Sequence, residues 1–183
     1  EAAARGVEPL RYVLHRFASK QIRNRATLGG SIANASPIGD LAPLMLALEA
    51  DIEIASVDTR RRVSMSEFFK GYKQTALALN EVIVSVSFTI PDDSLVAFEK
   101  VSKRFDDDIS AVALGVNMRV QDNKLDTVIL GFGGVAATPA IALHTISKLT
   151  GMDPNGVSIT DLRSWLAIDF QTLTDLRASA AYR

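Results

Sequence analysis

Arg25-Ala26-Thr27-Leu28-Gly29-Gly30-Ser31-Ile32-Ala33-Asn34-Ala35-Ser36-Pro37-Ile38-Gly39-Asp40 is the stretch on which the reading of this chain turns. It holds three glycines, three alanines and a proline, with hydroxyls at Thr27, Ser31 and Ser36. So few large side chains make poor core. They suit a backbone that turns sharply and comes close to a ligand. The pair Gly29-Gly30 can adopt angles closed to other residues and can turn successive N–H groups into one concavity. Such nests hold phosphate oxygens, and a helix starting just beyond adds its positive end. Thr27 and Ser31 flank the pair, with Leu28 between, and Asp40 closes the stretch with a carboxylate suited to sugar hydroxyls. The pattern points to a nucleotide held by backbone amides. A plain tight turn accounts for a bare Gly-Gly pair with fewer assumptions.

Composition sets the outer bounds. The chain has 183 residues, 48% of them hydrophobic, and a formal net charge of −1. That fits one domain or two small ones. A near-neutral balance argues against a nucleic-acid or acidic-membrane partner. With no cysteine there is neither a disulfide nor a thiolate to hold an iron–sulfur cluster. His15 and His144 are isolated in sequence and are assigned to no metal. The longest apolar run, Leu41 to Ala47, is too short to span a bilayer. No basic-then-apolar leader opens the chain, which begins Glu1-Ala2-Ala3-Ala4-Arg5 without an initiator Met.

Periodicity marks the elements. Leu10, Val13, Leu14 and Phe17 recur at helical spacing after Pro9. Asp40 is placed to cap a helix with the stripe Leu41, Leu44, Met45 and Leu48. A strand through Ile52 and Ile54 follows, then the charged arm Arg60-Arg61-Arg62 and a short helix capped by Ser66. Val82, Val84, Val86, Phe88 and Ile90 alternate as a strand with one buried face, and Ile83 falls out of phase. Pro91-Asp92-Asp93-Ser94 is a turn cluster, which sets expected units at 1–93 and 94–183. Beyond it come a strand at Val96 and Phe98, a charged loop from Lys103 to Asp108, and a hairpin joining Val112–Val120 to Leu125–Phe132. Thr138-Pro139, Thr160 and Thr174 are expected to open helices. The chain therefore reads as α+β, its second half a sheet with helices on one face, each half with its own core.

The stretch from Gln21 to Asp40 resembles the FAD-binding domain of the molybdenum hydroxylases, the xanthine dehydrogenase family. The pattern Thr27-Leu28-Gly29-Gly30-Ser31 followed by Ser36-Pro37-Ile38-Gly39-Asp40 is long and specific. The likeness continues through Lys100-Val101-Ser102-Lys103-Arg104-Phe105-Asp106-Asp107-Asp108-Ile109 and the closing Asp175-Leu176-Arg177-Ala178-Ser179-Ala180-Ala181-Tyr182-Arg183. It implies a mixed-sheet FAD subdomain followed by an antiparallel-sheet-plus-helices domain of the molybdenum-hydroxylase flavoprotein type. It implies FAD contacts from Phe17, Thr27, Leu28, Gly29, Gly30, Ser31, Asp40, Ile83 and Lys100, with Arg104 and Asp107 facing the flavin and a nicotinamide pocket. Taken bare, Phe17 reads as helix core, Ile83 as sheet core and Lys100 as a solvated strand end. No general acid or base stands out.

The family also carries an earlier FAD subdomain with a second Gly-Gly loop, which is missing from this sequence. The resemblance thus implies a fragment of a longer cytoplasmic oxidoreductase. Electrons would pass from a molybdenum cofactor and 2Fe-2S clusters, on other domains or subunits, through FAD to NAD, in a homo- or hetero-oligomer. This chain alone is expected to bind FAD weakly or not at all. A carbon monoxide dehydrogenase flavoprotein subunit is the rival enzyme. A flavin-free assembly domain is the rival of another class.

Overall fold

The computed structural model describes residues 8–105 and 107–183; Asp106 of the charged loop and the opening Glu1–Arg5 segment lie outside them. Among the described residues four short helices come first: α1 (Glu8–Arg16), α2 (Lys20–Arg23), α3 (Leu28–Ala33) and α4 (Leu41–Ala47). Strands β1 (Asp51–Ala55) and β2 (Arg60–Ser64) follow, then α5 (Met65–Phe68), capped by Ser64 rather than the expected Ser66. A small ribbon of β3 (Phe69–Gly71) and β4 (Gln74–Thr75) leads to β5 (Val82–Ser87). The first sheet has the order β2-β1-β5, all antiparallel.

The expected buried face of β5 is corrected by a bulge. Glu53 pairs with Ser85 and Ile54 with Ile83, so Val84 is the extra residue. An extra residue resets the two-residue alternation. Ile83 and Val86 therefore lie on the side of buried Ile52 and Ile54, while Val82 and Val84 stay 63% and 46% exposed.

The second sheet runs β6 (Leu95–Val101), β7 (Val112–Gln121), β8 (Lys124–Gly133) and β9 (Ala140–Ile141), again antiparallel. Its register puts Phe98 beside Gly115 and Gly115 beside Gly131, with Lys100, Ala113 and Gly133 in the next row. These small residues form a trough that receives α4, whose seven residues are all buried. A Cβ on Gly115 or Gly131 would lie 2.3 Å from the Pro43 carbonyl oxygen. The glycines are there because the helix backbone occupies the space.

The opposite face carries Val112, Leu114, Val116, Val128, Leu130 and Phe132 against α6 (Leu143–Leu149) and α7 (Ile159–Asp169). The second half's own helices, α6 and α7, thus lie on one face of this sheet, and α4 from the first half covers the other. The two halves also do not core separately. Phe98 and Ala113 belong to the same apolar cluster as Val13, Leu44, Ile52 and Phe68. Ala140–Ile141 is strand where a helix was expected at Thr138-Pro139, and Ser158, not Thr160, caps α7.

No helix begins at Thr174. The Asp175 carboxylate instead accepts the backbone N–H groups of Arg177 at 2.8 Å and Ala178 at 3.1 Å, and the Arg183 guanidinium at 2.6 Å. A short carboxylate that bonds the backbone just ahead of it competes with the helix.

Candidate functional site

The glycine pair lies inside α3, not in a left-handed nest before a helix. Thr27 is the N-cap, with φ −121° and ψ 153°, and its Oγ1 accepts the Gly30 N–H at 2.9 Å. The Ser31 N–H reaches the Thr27 carbonyl at 3.0 Å. The N–H groups of Leu28 and Gly29 precede any carbonyl of their own helix and remain available at its positive end. The two glycines differ in what holds them. A Cβ on Gly30 would come within 2.9 Å of Thr27 Oγ1, so the cap demands glycine there. A Cβ on Gly29 would meet the Ile83 side chain at 3.6 Å, an ordinary contact. The β5 bulge thus brings Ile83 under α3.

The segment between α3 and α4 is pinned from the second half of the chain. The Gly134 N–H donates to the Pro37 carbonyl at 2.8 Å, and Gly134 has φ +85°, which suits glycine. Asp40 follows. It makes no side-chain cap to α4. Its carboxylate is buried and fully engaged: Oδ2 accepts from Lys100 Nζ at 2.7 Å, and Oδ1 accepts the Ser110 hydroxyl. Lys100 is likewise no solvated strand end, being 5% exposed. Its ammonium also donates to the carbonyls of Arg16 at 3.0 Å and Asp108 at 2.7 Å.

Phe17 is half-buried at the bend after α1, where Ala18 has φ 45°. Arg23 Nη1 clamps that bend by donating to the Phe17 carbonyl at 2.7 Å and to the Ala18 carbonyl. The loop after β6 folds on itself. The Asp108 carboxylate accepts the Arg104 N–H at 2.7 Å and the Ile109 N–H at 2.9 Å, which hold its carboxyl below the usual carboxylate range. Arg16 lies over the Phe105 ring, 4.7 Å from its centre. Arg104 and Asp107 are exposed, and Asp107 has φ 48°. Ser110, Arg16 and Arg23 are not singled out as site residues by the sequence. Arg16 and Arg23, each a cation in the last turn of a helix, carry a pattern that could have marked them.

Two clusters thus emerge. Thr27, Leu28, Gly29, Gly30 and Ser31 make a helix start beside Ile83. Asp40 and Lys100 make a buried pair that joins α1, the approach to α4 and the loop after β6. Among the described residues, no helix is long and apolar enough to cross a membrane.

Two family models divide the chain. "FAD binding domain in molybdopterin dehydrogenase" matches residues 1–92, and "CO dehydrogenase flavoprotein C-terminal domain" matches residues 97–183. The chain belongs to this FAD-binding family of the molybdopterin dehydrogenases. It is 37% identical over 155 residues to the nicotinate hydroxylase hnxS of Emericella nidulans, covering 81% of this chain and 12% of that protein. It is 40% identical over 142 residues to a xanthine dehydrogenase of Drosophila subobscura, covering 73% and 10%. A solved carbon monoxide dehydrogenase from Hydrogenophaga pseudoflava superposes with a TM-score of 0.85 at 26% identity, covering 96% of this chain and 61% of that one. The fold is therefore that of the molybdenum-hydroxylase flavoproteins. The chain spans about a tenth of the length of the curated relatives it matches.

Proposed function

We propose that this chain is the FAD-holding portion of a xanthine dehydrogenase-like oxidoreductase in the cytoplasm. Electrons arrive from 2Fe-2S clusters and a molybdenum cofactor, held on other domains or subunits of an oligomer, and leave through FAD to NAD. FAD supplies the change between two-electron and one-electron steps. The residues on this chain bind and orient it. The N–H groups of Leu28 and Gly29, with the Thr27 and Ser31 hydroxyls, meet phosphate oxygens at the start of α3. Phe17 and Ile83 supply apolar surface, Phe17 beside the adenine and Ile83 beside the flavin ring. Lys100 and Asp40 stand behind the site, with Arg104 and Asp107 at its rim as charges that tune the flavin. Asp107→Ala raises the flavin potential in the intact enzyme, measured by potentiometric titration.

Gly29 is the observation that carries this reading. Its φ is not left-handed, it lies in a helix, and a Cβ would fit. Glycine there weakens the helix by roughly 0.5–1 kcal/mol relative to alanine. The fold gives no reason for it, whereas a phosphate approaching the amide does. Gly29→Ala should raise thermal stability by about that amount and weaken FAD binding. The test is a titration of FAD into both chains, read by flavin fluorescence, beside their melting curves. Two free amides and two hydroxyls hold only part of a diphosphate, so the parent's Kd should be micromolar or weaker. Saturable binding of equal strength by parent and variant would sink the reading.

A second reading, the flavoprotein of a carbon monoxide dehydrogenase-type enzyme with another electron acceptor, is favoured by the family model that matches residues 97–183. Rapid reduction of NAD by the intact reduced enzyme would decide against it.

A further inference from the structure

Asn155-Gly156 is the one Asn-Gly pair in the sequence. It lies in a single 3-10 turn, Pro154–Gly156, between α6 and α7. Both residues are exposed. A Cβ on Gly156 would meet nothing within 4 Å, and the residue is not left-handed. Neither space nor backbone angle therefore asks for glycine there. What glycine does supply is an unhindered backbone nitrogen next to a side-chain amide.

That pairing has a chemistry of its own, and asparagine is counted among the thermolabile residues. The Gly156 nitrogen attacks Asn155 Cγ. A C–N bond forms and closes a cyclic imide, and the side-chain nitrogen leaves as ammonia with the proton that the glycine nitrogen gives up. Water then adds to one of the two imide carbonyls and breaks its bond to the ring nitrogen. The product is aspartate, or isoaspartate with the chain running through the side chain.

Asp153 holds both reacting groups. Its carbonyl accepts the Gly156 N–H at 3.0 Å. Its Oδ1 accepts the Asn155 N–H at 2.8 Å and Asn155 Nδ2 at 3.1 Å. The attacking nitrogen thus keeps its hydrogen, and the amide it must reach is drawn toward Asp153. A carboxylate close by also disfavours loss of that hydrogen. Asp153 Oδ2 accepts from Asn123 Nδ2 at 3.1 Å, at the turn between β7 and β8.

We propose that Asn155 is a self-modification site, converted to aspartate and isoaspartate through a cyclic imide with Gly156, and that Asp153 sets the rate by holding the two groups apart. Either product sets a second carboxylate against Asp153, where the side-chain amide had donated. Like charges so close repel. Asp153 then releases Asn123, and the β7–β8 turn loosens. The change stays local, because the Leu125 N–H donates to the Met152 carbonyl at 2.8 Å and the Gly151 N–H to the Leu125 carbonyl at 2.7 Å.

The test follows the modification itself. The full chain and a free peptide of residues 151–160 are kept in warm, mildly alkaline buffer. Aspartate and isoaspartate at position 155 are read by peptide mapping. The chain should react on the order of tenfold or more slower than the peptide, the factor set by one local opening of about 1.4 kcal/mol. Asp153→Ala should melt close to the parent and react nearly as fast as the peptide. Gly156→Ala should keep the fold and slow the reaction below the parent's rate, because its methyl hinders the attacking nitrogen. Asn155→Asp stands in for one product. It should speed amide exchange at Gln121 and Lys124, which pair across the turn, and leave the centres of β7 and β8 unchanged. A parent as fast as the peptide would overturn the proposal. So would an Asp153→Ala chain that stays at the parent's rate, or equal rates in Gly156→Ala and the parent. Unchanged exchange at Gln121 and Lys124 in Asn155→Asp would overturn the release of the turn.

Discussion

Glu49 ends α4 in the left-handed region at φ 47°. The Ala50 N–H reaches the Met45 carbonyl at 3.0 Å, and the Glu49 N–H reaches Leu46 at 3.0 Å, the bonding of a helix end that glycine usually closes. Glu49→Gly should therefore stabilise the chain by up to about 1 kcal/mol, read from the urea midpoint with an unchanged slope. Thr27→Ala should act in the other direction, by about 1 kcal/mol, because it releases the Gly30 N–H. At this scale the sequence was legible in its chemistry and illegible in its geometry. Thr27, Gly29 and Gly30 stood out by type. Nothing in their order tells a nest from the first turn of a helix, since both need free amides and small side chains. Asp40 and Lys100 were marked singly. Their partnership spans sixty positions, and local pattern cannot see it.

α4 shows why elements are found more easily than their neighbours. Its apolar run gave the helix. The trough that receives it is made of Gly115, Gly131 and Gly133, which in sequence read only as weak points in strands. Gly131→Ala would push a methyl to 2.3 Å from the Pro43 carbonyl and 2.8 Å from Leu46 Cβ. Overpacking of this kind costs about 1–3 kcal/mol, and contact with backbone puts this site at the upper end. Thermal unfolding should show the loss, and Gly156→Ala, with nothing within 4 Å and no left-handed φ, serves as its control. The bulge in β5 was hidden for a related reason. Five alternating apolar residues predict one buried face, and the shift between Glu53 and Ile54 exists only in the pairing with β1. That shift, not the alternation, turns Ile83 toward Gly29.

Across the whole molecule, two ion-paired carboxylates tie chain segments together. Arg61 grips Glu81 with two bonds of 2.8 and 2.6 Å and lowers its pKa to about 2, and Asp175 is lowered chiefly by Arg183 and the Arg177 amide. Both folded-state values lie below the unfolded ones. Their stabilisation is therefore complete above the ordinary carboxylate range, about 4, and for Glu81 is lost as pH falls toward about 2. Glu81→Gln should flatten the fall in melting temperature between those limits and lower the melting temperature at pH 7. The division at Pro91-Asp93 was legible as a turn. The docking of α4 across it was not, because a hydrophobic stripe does not name its partner. That docking has a consequence for how the chain can be cut and made. A polypeptide of residues 1–93 would carry a fully apolar helix with no sheet to receive it, and residues 94–183 would hold an empty groove floored by glycines. Neither half should fold alone, yet the groove is shaped to that helix. Produced together as two chains, the halves should therefore find each other and assemble as a split protein, sharing one melting transition. Two independent transitions from the separate pieces would show that each half is autonomous after all.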